Sequence, residues 1–170
     1  MRKLLISKAE YLLMVIITLS LIFAWILELG FGMEPCSLCL LQRFGLYIAL
    51  SVLVVKVIIN YFINNKIINL TLLGISILGI IFSLISGLRQ TYIQLLPEDK
   101  IPSCGADLET LLQIVTPFQA IKKVFEGSGE CADKAFVFLG LSLANWATIL
   151  FAFMTLYSIY IFIKDYQKKY

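Results

Sequence analysis

The chain has 170 residues, of which 60% are hydrophobic and 15% charged, with 14 Lys and Arg against 11 Asp and Glu and a formal net charge of +3. Soluble domains run at about 45–50% apolar and about 25% charged, so an ordinary soluble globule is excluded, and so small a basic excess, broken by long apolar runs, does not point to nucleic acid. Four cysteines and no histidine exclude a mixed Cys/His zinc site, a histidine-held haem and a Ser-His-Asp hydrolase, and leave an all-cysteine zinc site formally open.

A helix that crosses a bilayer core about 30 Å thick needs about 20 mainly apolar residues. The first such window runs from about Tyr11 to Leu29, with Glu10 and Glu28 at its ends. Arg2, Lys3 and Lys8 precede it, as in a signal peptide, but the stretch is longer than the usual 7–15 residues and no small-x-small cleavage site follows. It is expected to be a retained first span. The short connection 30–35 carries Glu34 and no Lys or Arg.

Next comes Pro35-Cys36-Ser37-Leu38-Cys39, at the start of a second window over about 36–58. Proline suits the first helical turn, where its missing N–H would be unpaired anyway. The partial positive charge of a helix N-terminus favours thiolate over thiol. Arg43 follows Cys39 by four residues and Cys36 by seven, so all three share nearly one helix face. An arginine inside a bilayer costs about 2.5–3.5 kcal/mol at the centre and less near the edge. Its expected role is to neutralise a thiolate or a ligand that develops negative charge; snorkelling to the headgroups is the structural alternative. A purely structural Cys36–Cys39 disulfide would close too short a loop to stabilise much.

The third window covers about 67–88, with Ser76, Gly79, Ser83 and Ser86/Gly87 in a helical stripe of small residues that lets a neighbouring helix approach. A long connection, about 89–134, carries Cys104 and Cys131 in Pro-, Ser- or Gly-rich settings. As a structural disulfide this pair would stabilise by roughly 3–4 kcal/mol; as a mobile one it could exchange with an external thiol. Between the two, Leu108, Leu111, Val115, Phe118, Ile121 and Phe125 recur every three to four residues. A short amphipathic helix is expected there, bent near Pro117, lying on the membrane surface or capping the bundle. The fourth window covers about 145–163.

The expected architecture is therefore an all-α polytopic four-helix bundle forming a single membrane domain, with no separate soluble unit. Arg2, Lys3 and Lys8, Lys56 and Lys66, and Lys164, Lys168 and Lys169 flank one set of helix ends. That charge bias puts both termini and the middle turn in the cytoplasm and all four cysteines on the outer, oxidising side. Gathering four sulfurs on one ion is disfavoured, because zinc sites use short local spacings and nothing pairs Cys104 locally. Serial exchange fits better, from a loop pair to a membrane-edge pair. The electrons then need an acceptor. No histidine is present for haem and no Gly-x-Gly-x-x-Gly for a flavin or nicotinamide nucleotide, whereas a lipid-soluble quinone arriving beside Arg43 fits the position.

These residues resemble the DsbB family of disulfide bond formation proteins. The similarity lies in Pro35-Cys-Ser-Leu-Cys-Leu-Leu-Gln-Arg43, Arg89-Gln-Thr-Tyr-Ile-Gln-Leu-Leu-Pro97 with Pro102-Ser-Cys-Gly105, Val124-Phe-Glu-Gly-Ser-Gly-Glu-Cys-Ala132, and Phe138-Leu-Gly-Leu141 before Trp146. The resemblance implies a thiol:quinone oxidoreductase of the bacterial inner membrane, serving a DsbA-like periplasmic thiol oxidase and the membrane quinone pool, ubiquinone or menaquinone, without metal, haem or flavin. It also implies roles. Cys104 takes the mixed disulfide with the partner, and Cys131 resolves through the membrane-edge pair. Cys39 is the thiolate facing the quinone, and Cys36 is its disulfide partner. Arg43 stabilises charge on the quinone oxygen. One position departs from the pattern, because Gln90 stands where family members often carry a histidine. It can donate a hydrogen bond but cannot become cationic.

Two other readings are available. A vitamin-K-epoxide-reductase-like oxidase also joins a four-helix bundle to Cys-x-x-Cys and quinone, but it places that motif near its last spans, the reverse of the order here. A non-enzymatic membrane scaffold or transporter would hold both pairs as permanent disulfides.

Overall fold

The computed structural model describes residues 8–33, 35–63, 65–97, 125, 129–132 and 137–167. Within them lie four long helices: α1 (Lys8–Phe31), α2 (Ser37–Phe62), α3 (Lys66–Gln94) and α4 (Leu143–Gln167). At about 1.5 Å per residue each is more than 30 Å long, and all four are apolar enough to cross a membrane. The chain is an all-α membrane four-helix bundle. The helices extend past the apolar windows at nearly every end, because the windows end where charge enters while the backbone ladder continues. Apart from Phe125, the residues named for the predicted surface helix lie outside the described residues, as does Cys104.

Large apolar side chains such as Leu19, Phe23, Ile26, Leu78 and Leu156 point outward, as expected where the surroundings are as apolar as the core. The bundle interior is built instead from small residues and a stripe of Leu and Ile. The small stripe of α3 is the contact face with α2. A Cβ added at Gly45 would lie 2.3 Å from Ser83 Oγ and 2.7 Å from Gly79 O, and one at Gly79 would lie 2.8 Å from Gly45 O. No side chain larger than hydrogen fits at either position without a shift. Ser83 Oγ donates to Gln42 O at 2.8 Å and Ser76 Oγ to Ala49 O at 3.3 Å, so the close approach also satisfies both hydroxyls inside the apolar layer. On its other side α3 meets α4, where Gly87 admits Thr148 Oγ1.

α1 is held differently. Its buried residues, Glu10, Leu13, Ile17 and Leu21, follow a helical stripe that stops halfway along. Beyond Leu21 α1 buries no further side chain, and a cavity lies between α1, α2, α3 and α4. Two ion pairs fasten α1 to α2: Glu10 with Lys56 at 2.5 Å, and Glu28 with Arg43. The first pair corrects the sequence reading of Lys56 as a charge flanking a turn. It lies inside α2 and is buried, because Glu10 of α1 reaches it.

The helix ends are set locally. Gly32, at φ +64°, takes the left-handed conformation that ends α1. Asn65 caps α3, its side chain accepting from Ile67 N at 2.9 Å. A two-stranded hairpin, β1 (Val137–Phe138) with β2 (Leu141–Ser142), precedes α4 and pairs Phe138 with Leu141. Its two loop residues, Leu139 and Gly140, both have positive φ, as the tightest hairpin turns require. Trp146 Nε1 donates to Phe138 O at 3.1 Å and anchors the hairpin on α4. Ser142 Oγ accepts from Asn145 N at 3.3 Å, capping α4, and donates to Gln94 Oε1 at 2.6 Å.

Candidate functional site

Cys36 is the N-cap of α2, in extended backbone, and its side chain makes no capping bond. Its sulfur is left available to other partners. Cys39, one turn on, brings its Sγ to 3.0 Å from Cys36 Sγ. Proline at 35 and the helical start at Ser37 are enough to place both sulfurs at the positive end of α2.

The third sulfur arrives from far along the chain. Gly129–Ala132 forms a 3-10 turn that packs Cys131 against Cys36, Leu38 and Ile93 in a small apolar cluster. Cys131 is fully buried. It is hydrogen-bonded to Cys36, and its Sγ lies 3.7 Å from Ser37 Oγ. The structure thus lines up Cys131, Cys36 and Cys39, with Cys36 in the middle.

α3 supplies the polar floor. Gln90, buried at 4% exposure, sets its amide nitrogen 3.4 Å from Cys36 Sγ and 3.3 Å from Cys39 Sγ. Its Oε1 accepts from Gln42 Nε2 at 2.7 Å and lies 3.6 Å from Cys39 Sγ. Gln94, one turn further along α3, meets Ser142 as described. Three buried glutamine side chains therefore gather at this end of an otherwise apolar bundle. Polar groups are costly in such surroundings and mark sites of function by default.

Arg43 faces α1. Its Nη1 pairs with Glu28, and its Nη2 donates to Ala24 O at 3.2 Å. It shares a cavity wall with the sulfurs. Cys36, Cys39, Gln42, Arg43 and Gln90 all line a cavity of about 930 Å³, closed on its other sides by apolar residues of α1 and α4 such as Ala24, Leu27, Ala147 and Leu150.

Of the residues singled out from sequence, the structure brings Cys36, Cys39, Cys131, Arg43 and Gln90 to one place, while Cys104 lies outside the described residues. Glu28 and Gln42 were not singled out. Glu28 could have been found as the acid at the same end of span one as Arg43, and Gln42 as the polar neighbour preceding it.

A family model described as Disulfide bond formation protein DsbB matches residues 7–161. Among curated proteins, a Disulfide bond formation protein B from a Psychrobacter species is 33% identical over 171 residues, covering 99% of each chain. Another from Acinetobacter baylyi is 33% identical over 144 residues, covering 85% of this chain and 83% of its own. A third, from Marinobacter nauticus, is 28% identical over 150 residues, covering 86% and 85%. No solved structure matches the chain.

Proposed function

The chain belongs to the DsbB family of disulfide bond formation proteins, and from that premise we propose that this disulfide-forming membrane oxidoreductase reoxidises a DsbA-like periplasmic dithiol and hands the electrons to a membrane quinone. The observation that carries the proposal is the row of three sulfurs, Cys131 to Cys36 to Cys39, at the mouth of a cavity walled by Arg43.

The exchanges balance as follows. A thiolate of the reduced partner attacks Cys104 in the Cys104–Cys131 disulfide, forming a mixed disulfide and releasing the Cys131 thiolate. Cys131, seated against Cys36, attacks Cys36 Sγ in the Cys36–Cys39 disulfide and releases the Cys39 thiolate. The partner's second thiol displaces Cys104, and the partner leaves oxidised. Cys104 then attacks Cys131, which restores the loop disulfide and frees Cys36. Two electrons and two protons taken from the partner now reside on Cys36 and Cys39 and their surroundings. A quinone in the cavity would accept two electrons and two protons and so return Cys36 and Cys39 to the disulfide.

The chain's own residues have defined tasks in this scheme. The start of α2 holds Cys39 where positive partial charge favours its thiolate. Arg43 presents N–H donors to a polar atom in the cavity at a point where negative charge develops. The apolar walls from α1 and α4 exclude water, which strengthens both effects. We further propose that the sulfur-bearing ends face the periplasm, across the inner membrane, with both termini in the cytoplasm, as the placement of Lys and Arg implies.

The test is the redox state of Cys36 and Cys39 in membranes with and without quinone, read by thiol trapping in the presence of the reduced partner. Under the proposal both are dithiols when quinone is withheld and a disulfide when it is restored. A pair that stays oxidised in both conditions would overturn it and favour a structural disulfide.

A further inference from the structure

Gln90 is placed to do more than fill the position of a missing histidine. Its amide nitrogen carries two hydrogens, and two sulfurs lie within reach, at 3.3 Å and 3.4 Å. An amide can turn over by half a rotation, exchanging donor for acceptor, and a Gln90 so reversed would point lone pairs at the sulfurs and oppose a thiolate. One contact sets the direction. Gln42 donates to Gln90 Oε1 at 2.7 Å, the shortest bond Gln90 makes, and thereby turns the NH₂ toward Cys36 and Cys39. Gln42 comes from the same helix as the cysteines and Gln90 from α3, so the pair is assembled only when those helices pack. Both side chains are buried, where water does not compete for the amides.

We propose that Gln42 and Gln90 form an oriented amide pair in which Gln42 acts as a positioning residue and Gln90 as the hydrogen-bond donor that stabilises the Cys39 thiolate. The inference deepens the oxidoreductase reading and rests on it for the meaning of that thiolate. It explains how a chain without histidine provides a polar donor at this point: the donor is neutral and oriented, and it does not titrate. The ionisable groups around Cys39 among the described residues are Cys36 on the same helix start, Cys131 from the 3-10 turn, and Arg43 one turn along α2. α1 contributes Glu28, which is already engaged with Arg43. Near the sulfurs, α3 contributes Gln90 and Gln94, and the start of α4 contributes the Ser142 hydroxyl.

While Cys39 is a thiol, its hydrogen can be donated to Gln90 Oε1 at 3.6 Å. Once ionised, Cys39 accepts from Gln90 Nε2 at the shorter distance. The same amide thus serves both protonation states without moving.

The experiment uses the full reduced chain in lipid nanodiscs. Iodoacetamide alkylation of Cys39 is followed by peptide mass mapping across pH, alongside short-chain quinone reduction driven by a reduced DsbA-like protein. Methionine matches glutamine closely in length but donates nothing. Loss of a hydrogen bond to a charged group corresponds to an upward move of about one to two pH units in the alkylation midpoint for Gln90→Met. Gln42→Met is expected to move it the same way by less, since the freed amide still donates part of the time. Gln90→His, which restores a donor, is expected to recover at least part of the shift. Midpoints unchanged in both methionine variants, with quinone reduction intact in the parent protein, would overturn the amide pair and leave the oxidase reading standing. Shifted midpoints in a parent protein that never reduces quinone would support the amide pair while removing the oxidase reading.

Discussion

At the scale of single residues, the proposed chemistry rests on sulfur, one guanidinium and two amides. Arg43 offsets part of its cost in an apolar layer by pairing with Glu28 and donating to Ala24 O. Its partner Glu28 is partly exposed near the C-terminal end of α1, so the ion pair is not sealed, and Arg43 lines the cavity together with Cys36 and Cys39. Arg43→Ala is expected to raise the apparent KM for a short-chain quinone about tenfold or more, as the loss of a charge-assisted hydrogen bond implies, with little change in the affinity for the reduced partner protein. Steady-state kinetics with each substrate varied in turn checks this, and an unchanged quinone KM would remove Arg43 from the binding role. The spacing Cys36, Cys39, Arg43 was legible in the sequence because all three lie on one helix, where periodicity fixes the face. Glu28 and Gln42 were not singled out, because their roles depend on which residue of another helix comes opposite, and single-helix periodicity carries no such register.

At the scale of elements, α2 and α3 form the rigid half of the bundle and α1 the lightly held half. The α2–α3 contact depends on two glycines facing each other. Gly45→Ala places a methyl against Ser83 Oγ and Gly79 O and is expected to destabilise the bundle by about 1–3 kcal/mol, the usual cost of overpacking, read as an earlier midpoint on titration with a denaturing detergent. A midpoint equal to that of the parent protein would show that the two helices part more easily than the contact suggests. Gln42 leaves α2 one turn before Gly45, and Ser83 binds its backbone carbonyl, so this packing also fixes the height at which Gln42 meets Gln90. The small-residue stripe on α3 was readable from sequence as a packing face; its partner on α2, Gly45 with Ala49 four residues on, was not singled out, because a single pair of small residues among large apolar ones is a weak signal. The hairpin before α4 also escaped the sequence reading. It is only two residues per strand, and one of its two positive-φ loop positions is occupied by Leu139, a residue with no turn preference.

At the scale of the whole molecule, the four helices deliver two chain-distant segments to one end of the bundle. The first is the start of α2 with Cys36 and Cys39; the second is the 3-10 turn with Cys131, more than ninety residues later in the sequence. The sequence made the four spans legible because a bilayer demands about 20 apolar residues whatever the fold. Residue spacing alone did not bring Cys131 to Cys36, since loop sulfurs carry no periodicity to place them; only the family resemblance implied that exchange. The sequence reading also placed Lys56 among the flanking charges, where the bundle instead buries it against Glu10. The part of α1 beyond Leu21 buries no side chain and lines a largely apolar cavity beside the sulfurs. A lipid-soluble acceptor would enter such a space from the side. The central claim is that electrons taken from a partner dithiol leave through Cys39 into that cavity. It is tested most directly by mixing the purified chain, a reduced DsbA-like protein and a short-chain quinone, and following quinone absorbance together with partner oxidation. The account predicts one quinone reduced per partner disulfide formed and no turnover by Cys39→Ser; sustained quinone reduction by Cys39→Ser would contradict it.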